Sequence, residues 1–347
     1  MKLLSILFII LFFCILTNSG LSLSYAAMGL ELWFQKMIPT LLPFMILSGI
    51  MVRLKLTEKI SMVAYPVIRP AFKVRKNVCY AMLMGFLCGF PMGAKVVDDL
   101  YSREMITKRE AEYLLSFCNN IGPIYFCGFV LPLLGRKLVF PYLLGMYGIP
   151  LLYGLALRYT LFRDLDNEVL YPEKRFHLIK TWRHKKAKAS PPPAKTLTAC
   201  ELAGNPLAKT LSVCEFTPKT SFAERLLEAV NSSIHSSVQS ILMLGGYMVL
   251  FNLLNLLPHL LMGQPPVLIA PLLEITGGLS LLQAGLPLFS LLALSFGGIS
   301  CIAQTYSCIG QTDLSITRYV LHKIILTLLN ALFYLGWFLL FPGSFLL

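Results

Sequence analysis

The chain has 347 residues, 56% of them from the apolar set AVILMFWYC and 14% charged, against about 25% charged in soluble domains. With a mean hydropathy of +0.70 it lacks the polar surface that a soluble fold needs, which excludes a free cytoplasmic enzyme and a nucleic-acid binder and leaves an all-α polytopic membrane protein. The net charge of +13 fits basic loops that face anionic lipid on the cytoplasmic side of a bilayer.

Residues 1–28 open with Met1-Lys2 and an apolar run from Leu3 to Leu16, followed by Thr17-Asn18-Ser19-Gly20. This reads as an anchor helix or as a signal-like segment with Ser24-Tyr25-Ala26 at its end. Further apolar segments fall near 37–54, 79–97, 112–134 and 139–160, within a first membrane unit at 29–162. Residues 163–225 carry twelve basic and seven acidic residues and the run Ser190-Pro191-Pro192-Pro193, which predicts a basic cytoplasmic linker. A second membrane unit, 226–347, holds apolar segments near 236–257, 266–284, 287–309 and 317–342. The nine cysteines are scattered, with no CxxC and no Cys/His cluster, so no disulfide framework, metal site or organic cofactor is expected.

Charge and parity together constrain the topology. Residues 53–76 hold seven basic residues and one acidic residue, so this loop belongs inside, as does the linker. Three simple crossings between them would put the linker outside. One segment must therefore enter and leave by the same face. The choices are 79–97, interrupted by Gly89-Phe90-Pro91-Met92-Gly93, and 112–134, interrupted by Asn119-Asn120-Ile121-Gly122-Pro123.

The two units also match each other. Gly49 aligns with Gly246, Pro66 with Pro271, Gly89–Ala94 with Gly298–Ala303, Lys95 with Gln304, and Asn120 with Asn330. The opening segments run in opposite directions, so the repeat is expected to be inverted, as in many secondary transporters whose broken helices meet at the midplane.

Several stretches carry a resemblance. They are Gly29-Leu30-Glu31-Leu32-Trp33, Pro39-Thr40-Leu41-Leu42-Pro43-Phe44, Gly89-Phe90-Pro91-Met92-Gly93-Ala94-Lys95 and Ser116-Phe117-Cys118-Asn119-Asn120 with Pro123. Together they resemble the YlbJ family of sporulation integral membrane proteins, also called stage V sporulation protein V. Leu273-Glu274-Ile275-Thr276-Gly277-Gly278 resembles that family's Glu-x-Thr-x-Gly segment. The likeness covers nearly the whole chain outside 163–225. It departs at Asn120-Ile121-Gly122, where the family shows Thr-Ser-type residues, and at Phe90, where Tyr is commoner. The resemblance implies two inverted Gate-type, "nucleoside recognition" repeats, shared with concentrative nucleoside transporters and ferrous-iron transporter cores. It further implies a mother-cell protein of the outer forespore membrane that moves dipicolinic acid and supports cortex formation. A homo-oligomer or a partner channel in the opposite membrane is left open.

A small dianion crossing hydrocarbon needs fixed dipoles and cations in place of its water. Breaks at Gly89, Phe90, Pro91 and Gly93 and at Gly297 and Gly298 supply helix ends and free N–H groups. Lys95 offers a full charge or snorkels to headgroups. Asn119, Asn120 and Asn330 offer amides, or glue helices together. Pro123 closes the Asn-Asn break, and Ser300 and Gln304 stand at the second break. Glu274 either takes a coupling role, as a proton relay or the partner of a buried cation, or is structural, pairing with a neighbour or capping a helix beside Thr276. Asp98-Asp99 lies against the charged stretch that ends its segment and does not read as an acid pair.

No HExxH, GxSxG or GxxxxGK[ST] motif occurs, so neither an intramembrane enzyme nor an ATPase is expected. A nucleoside or other small-solute transporter and a non-transporting scaffold subunit are the alternatives.

Overall fold

A computed structural model describes residues 2–165, 222–282 and 285–345. Most of the expected linker, Ser190–Pro193 included, lies outside the described residues. What is described is helical throughout: an all-α polytopic membrane protein with five stretches long and apolar enough to span a bilayer, Ser19–Arg53, Arg136–Tyr159, Phe222–Met262, Pro287–Ile309 and Ile316–Leu340.

Helix α1 (Lys2–Thr17) leads into α2 (Ser19–Leu32), which runs through a π turn at Trp33–Met37 into α3 (Ile38–Arg53), and the short helices α4 (Thr57–Ser61) and α5 (Tyr65–Phe72) follow. The boundary expected at 28/29 therefore falls inside a helix. Two further π turns follow, at Phe126–Val130 and Leu144–Gly148. Each of the three precedes a proline by two residues (Pro39, Pro132, Pro150). A proline ring collides with the carbonyl four residues earlier, and widening the preceding turn relieves that collision without ending the helix. The sequence places its prolines so that long helices bend rather than stop.

The helix α11 (Phe222–Leu253) crosses α2 and α3 in the opposite direction. A Cβ on Gly29 would lie 2.8 Å from the Met248 carbonyl, and one on Gly49 would lie 3.0 Å from Ser233 Oγ. Between these points Trp33 Nε1 donates to the Ile241 carbonyl at 2.8 Å, and beyond them Arg53 Nε donates to Ser232 Oγ at 3.0 Å. Small residues let the backbones approach and disperse the contact energy along the crossing.

The first interruption is a hairpin. Helices α6 (Lys76–Cys88) and α7 (Met92–Ser102) are about 20 and 16 Å long at 1.5 Å per residue, too short to cross about 30 Å of hydrocarbon. They fold back on each other, so that a Cβ on Gly93 would stand 3.2 Å from Gly85 Cα. Of the two choices, segment 79–97 is the one that forms a hairpin. Segment 112–134 instead continues past its break, from α8 (Lys108–Leu115) into α9 (123–134), and returns through α10 (Arg136–Tyr159).

The second unit repeats that order of elements. After α12 (Leu256–Met262), a short hairpin α13 (Ala270–Leu273) and α14 (Ile275–Leu282) turns at Glu274. A Cβ on Gly278 would lie 2.1 Å from the Pro271 nitrogen. Helices α15 (Pro287–Phe296) and α16 (Gly298–Ile309) then meet at Gly297, and α17 (Ile316–Leu340) closes the unit. By order of elements the tip at Gly89–Pro91 stands with the Glu274 tip and the Asn119-Asn120 break with Gly297, a different pairing from the residue matches.

Charged groups collect at one end of the bundle. Arg75 pairs with Glu110, which also completes a capping box with Thr107, and Arg318 pairs with Glu112. Arg109 meets Asp164 at 3.0 Å and Lys108 meets Asp313 at 3.1 Å. The Tyr101 hydroxyl donates to Asp313 at 2.7 Å, and that hydrogen bond with Lys108 holds the Asp313 carboxyl below its ordinary range. Apolar side chains such as Phe13, Leu242 and Leu332 are exposed along the flanks, where lipid is their solvent.

Candidate functional site

Each hairpin tip packs against the break in the helix that follows it. Gly89 caps α6 with φ +76°, a backbone that needs glycine, and the next amide, Phe90 N–H, donates to the Asn120 carbonyl at 2.7 Å. A Cβ on Gly89 would sit 2.2 Å from the Gly122 nitrogen. In the second unit Gly297 and Gly298 hold φ +78° and +79°. A Cβ on Gly298 would lie 3.1 Å from the Leu273 carbonyl and 3.4 Å from Glu274 Cα.

The two hairpin tips and the Ser116–Gly122 break meet on one cavity of about 30 Å³, walled by Thr40, Phe90, Pro91, Gly122, Tyr125, Glu274, Thr276 and Gln304, with Met37, Leu41 and Met248 supplying apolar surface. That volume holds about one or two waters. Glu274, 2% exposed, ends the α13–α14 turn. Its carboxylate accepts from Thr276 N–H at 3.0 Å, Gly277 N–H at 2.7 Å and Asn252 Nδ2 at 3.1 Å. It is therefore a capping anion on the positive end of α14. Tyr125 donates to Thr276 Oγ1 at 3.2 Å, and Gln304 Nε2 to Ser300 Oγ at 2.7 Å, leaving Gln304 Oε1 buried without a donor.

Phe90, Pro91, Glu274, Thr276 and Gln304 are thus brought together, with Gly89, Gly297, Gly298 and Ser300 directly behind them. Pro123 opens α9 at its first position, and Gly93 packs on Gly85 and Cys118. Lys95 is not in the wall: its ammonium pairs with Asp99, one turn on, at 3.2 Å. Asn330 is buried in α17 away from the cavity, its side-chain oxygen unpartnered. Asn119 and Asn120 lie on the far side of the Ser116–Gly122 break. Asn119 Nδ2 donates to Thr305 Oγ1 at 2.9 Å and to Tyr319 OH at 3.1 Å, and Asn120 Nδ2 to the Phe117 carbonyl at 2.5 Å.

Sequence reasoning missed Thr40, Tyr125 and Asn252. Asn252 had a signal, an amide inside the apolar run Leu250-Phe251-Asn252-Leu253-Leu254. Among the described residues no group of three His, Cys, Asp or Glu is placed to hold a metal ion.

A sporulation integral membrane protein, YlbJ of Bacillus subtilis (strain 168), is 26% identical over 360 residues, covering 94% of this chain and 80% of that protein. No family model matches the chain, and neither does a solved structure. Over nearly its whole length, then, this all-α membrane protein is similar to a sporulation integral membrane protein.

Proposed function

We propose that the chain is a membrane transporter of a small anionic solute, with dipicolinate the expected cargo, acting during sporulation at the outer forespore membrane. The observation that carries this reading is the cavity where two hairpin tips meet beside two broken helices. Unwound backbone inside an apolar bundle is sustained only where it lines a cavity or is buried in protein. Two such breaks per unit, in the same order and with opening helices antiparallel, have the layout of an inverted-repeat carrier. The α16 N-terminus at Gly298 and the amides of the Ser116–Gly122 break supply dipoles for an anion.

One observation favours a second reading. Among the described residues the cavity wall holds a carboxylate, amides and hydroxyls but no lysine or arginine, a set that suits a nucleoside or another uncharged solute. Proteoliposomes holding the purified protein, offered labelled dipicolinate or labelled uridine, separate the two. Saturable dipicolinate uptake that excess uridine leaves unchanged supports the anion carrier. Uridine uptake alone moves the chain to the nucleoside class, and uptake of neither contradicts both.

A further inference from the structure

Between the end of α3 and the start of α6 the chain runs through α4 and α5, and the ends of spanning helices fix the level at which these two lie. Arg158, 1% exposed in the last turn of α10, donates through Nε to the Phe72 carbonyl at 2.8 Å and through Nη2 to the Lys73 carbonyl at 3.3 Å. The Tyr159 hydroxyl donates to the Ala71 carbonyl at 2.9 Å. The C-terminal end of α5 is thus tied to the end of α10, while Arg53 ends α3 just before α4 begins. Spanning helices end where hydrocarbon gives way to headgroups. Helices α4 and α5 therefore stand at that level, on the face that the Arg75–Glu110 pair also marks.

What they present outward suits a charged lipid surface. Lys55, Lys59, Arg69 and Lys73 are all exposed, and among the described residues none of them pairs with a carboxylate. Glu58 is the one acidic residue in 53–76. Between the bases Met62, Val63 and Val67 are 55%, 87% and 78% exposed. The Arg69 guanidinium lies 5.7 Å from the Tyr65 ring centre and the Lys73 ammonium 5.3 Å from that of Tyr159, and tyrosine favours the membrane boundary. Apolar side chains rimmed by unpaired bases make up a segment that lies in an interface, with its cations at the phosphates. Each Lys or Arg held at an anionic surface favours that surface about five-fold.

We propose that α4 and α5 form a docking surface for anionic phospholipid, in which Lys55, Lys59, Arg69 and Lys73 hold headgroup phosphates and the apolar turn between the two helices sits among the headgroups. The surface owes nothing to the cargo and stands apart from the transport reading.

The test is the lipid that the full chain retains when it is purified from detergent micelles containing equal amounts of phosphatidylcholine and phosphatidylglycerol. The wild type should retain phosphatidylglycerol in preference, by at least about five-fold. The combined variant Lys55→Gln, Lys59→Gln, Arg69→Gln and Lys73→Gln should elute as a folded protein and bring the ratio within about two-fold of parity. Each half of it, Lys55→Gln with Lys59→Gln or Arg69→Gln with Lys73→Gln, should fall between. The same loss of charge in the linker, Arg183→Gln, Lys185→Gln, Lys186→Gln and Lys188→Gln, should leave the wild-type ratio unchanged. A wild type without preference, a four-site α4–α5 variant that keeps it, or a linker variant that loses it overturns the surface. So does displacement of the lipid by inorganic phosphate where sodium chloride of equal ionic strength leaves it bound, which would assign these bases to the free anion.

Discussion

Gly89 holds a left-handed backbone with the Gly122 amide where a Cβ would stand. Alanine there costs both the φ penalty and the collision, together about 3 kcal/mol. Gly89→Ala should therefore lower the thermal midpoint in detergent and abolish uptake; an unchanged midpoint would mean that the tip relaxes freely. Glu274→Gln keeps an oxygen for the Thr276 or Gly277 N–H but removes the charge. Uptake falling at least ten-fold with folded yield intact would assign the charge to the solute cycle, the expected result; full uptake would leave Glu274 a helix cap alone.

At the scale of elements, the apolar segments, the polar breaks and the prolines were legible in the sequence, because helix-breaking residues act locally. Parity restricted the re-entrant segment to two choices. The selection came from Gly85 and Gly93, whose missing side chains let α6 and α7 lie together, and that pairing is a tertiary fact with no local signal. Lys95 misled for a related reason. Its partner Asp99 stands one turn away, and whether a lysine faces a cavity or its own helix neighbour depends on the rotation of α7, which composition does not show. The Thr107–Glu110 box at the start of α8 did have a local signal, its Thr-x-x-Glu spacing, whereas the pairing of Glu110 with Arg75 had none. Glu110→Ala removes both the carboxylate that caps α8 and the one that Arg75 pairs with, and should cost about 1.5–3 kcal/mol, read as a drop in the detergent melting midpoint.

For the whole molecule, the charged cluster that gathers Arg75, Lys108, Arg109 and Arg318 marks the face expected inside, and the loop around Val63, which is 87% exposed, lies on the same side by the positive-inside rule. Val63→Cys should resist an impermeant thiol reagent on intact cells and label after permeabilisation; labelling of intact cells would invert the topology. The breaks at Gly89–Gly93, Asn119–Pro123 and Gly297-Gly298 were foreseen, but not the turn at Glu274, nor that Pro91, Gly122 and Glu274 come to line one cavity, since that depends on two crossings, α3 with α11 and α7 with α16. The decisive measurement is dipicolinate uptake into vesicles by the wild type beside Thr40→Phe, which fills the cavity from α3. Saturable uptake in the wild type that Thr40→Phe abolishes, with the variant eluting as a folded protein, is the predicted result. Uptake that persists undiminished in Thr40→Phe, or is absent from the wild type, would contradict a transport path through these paired breaks.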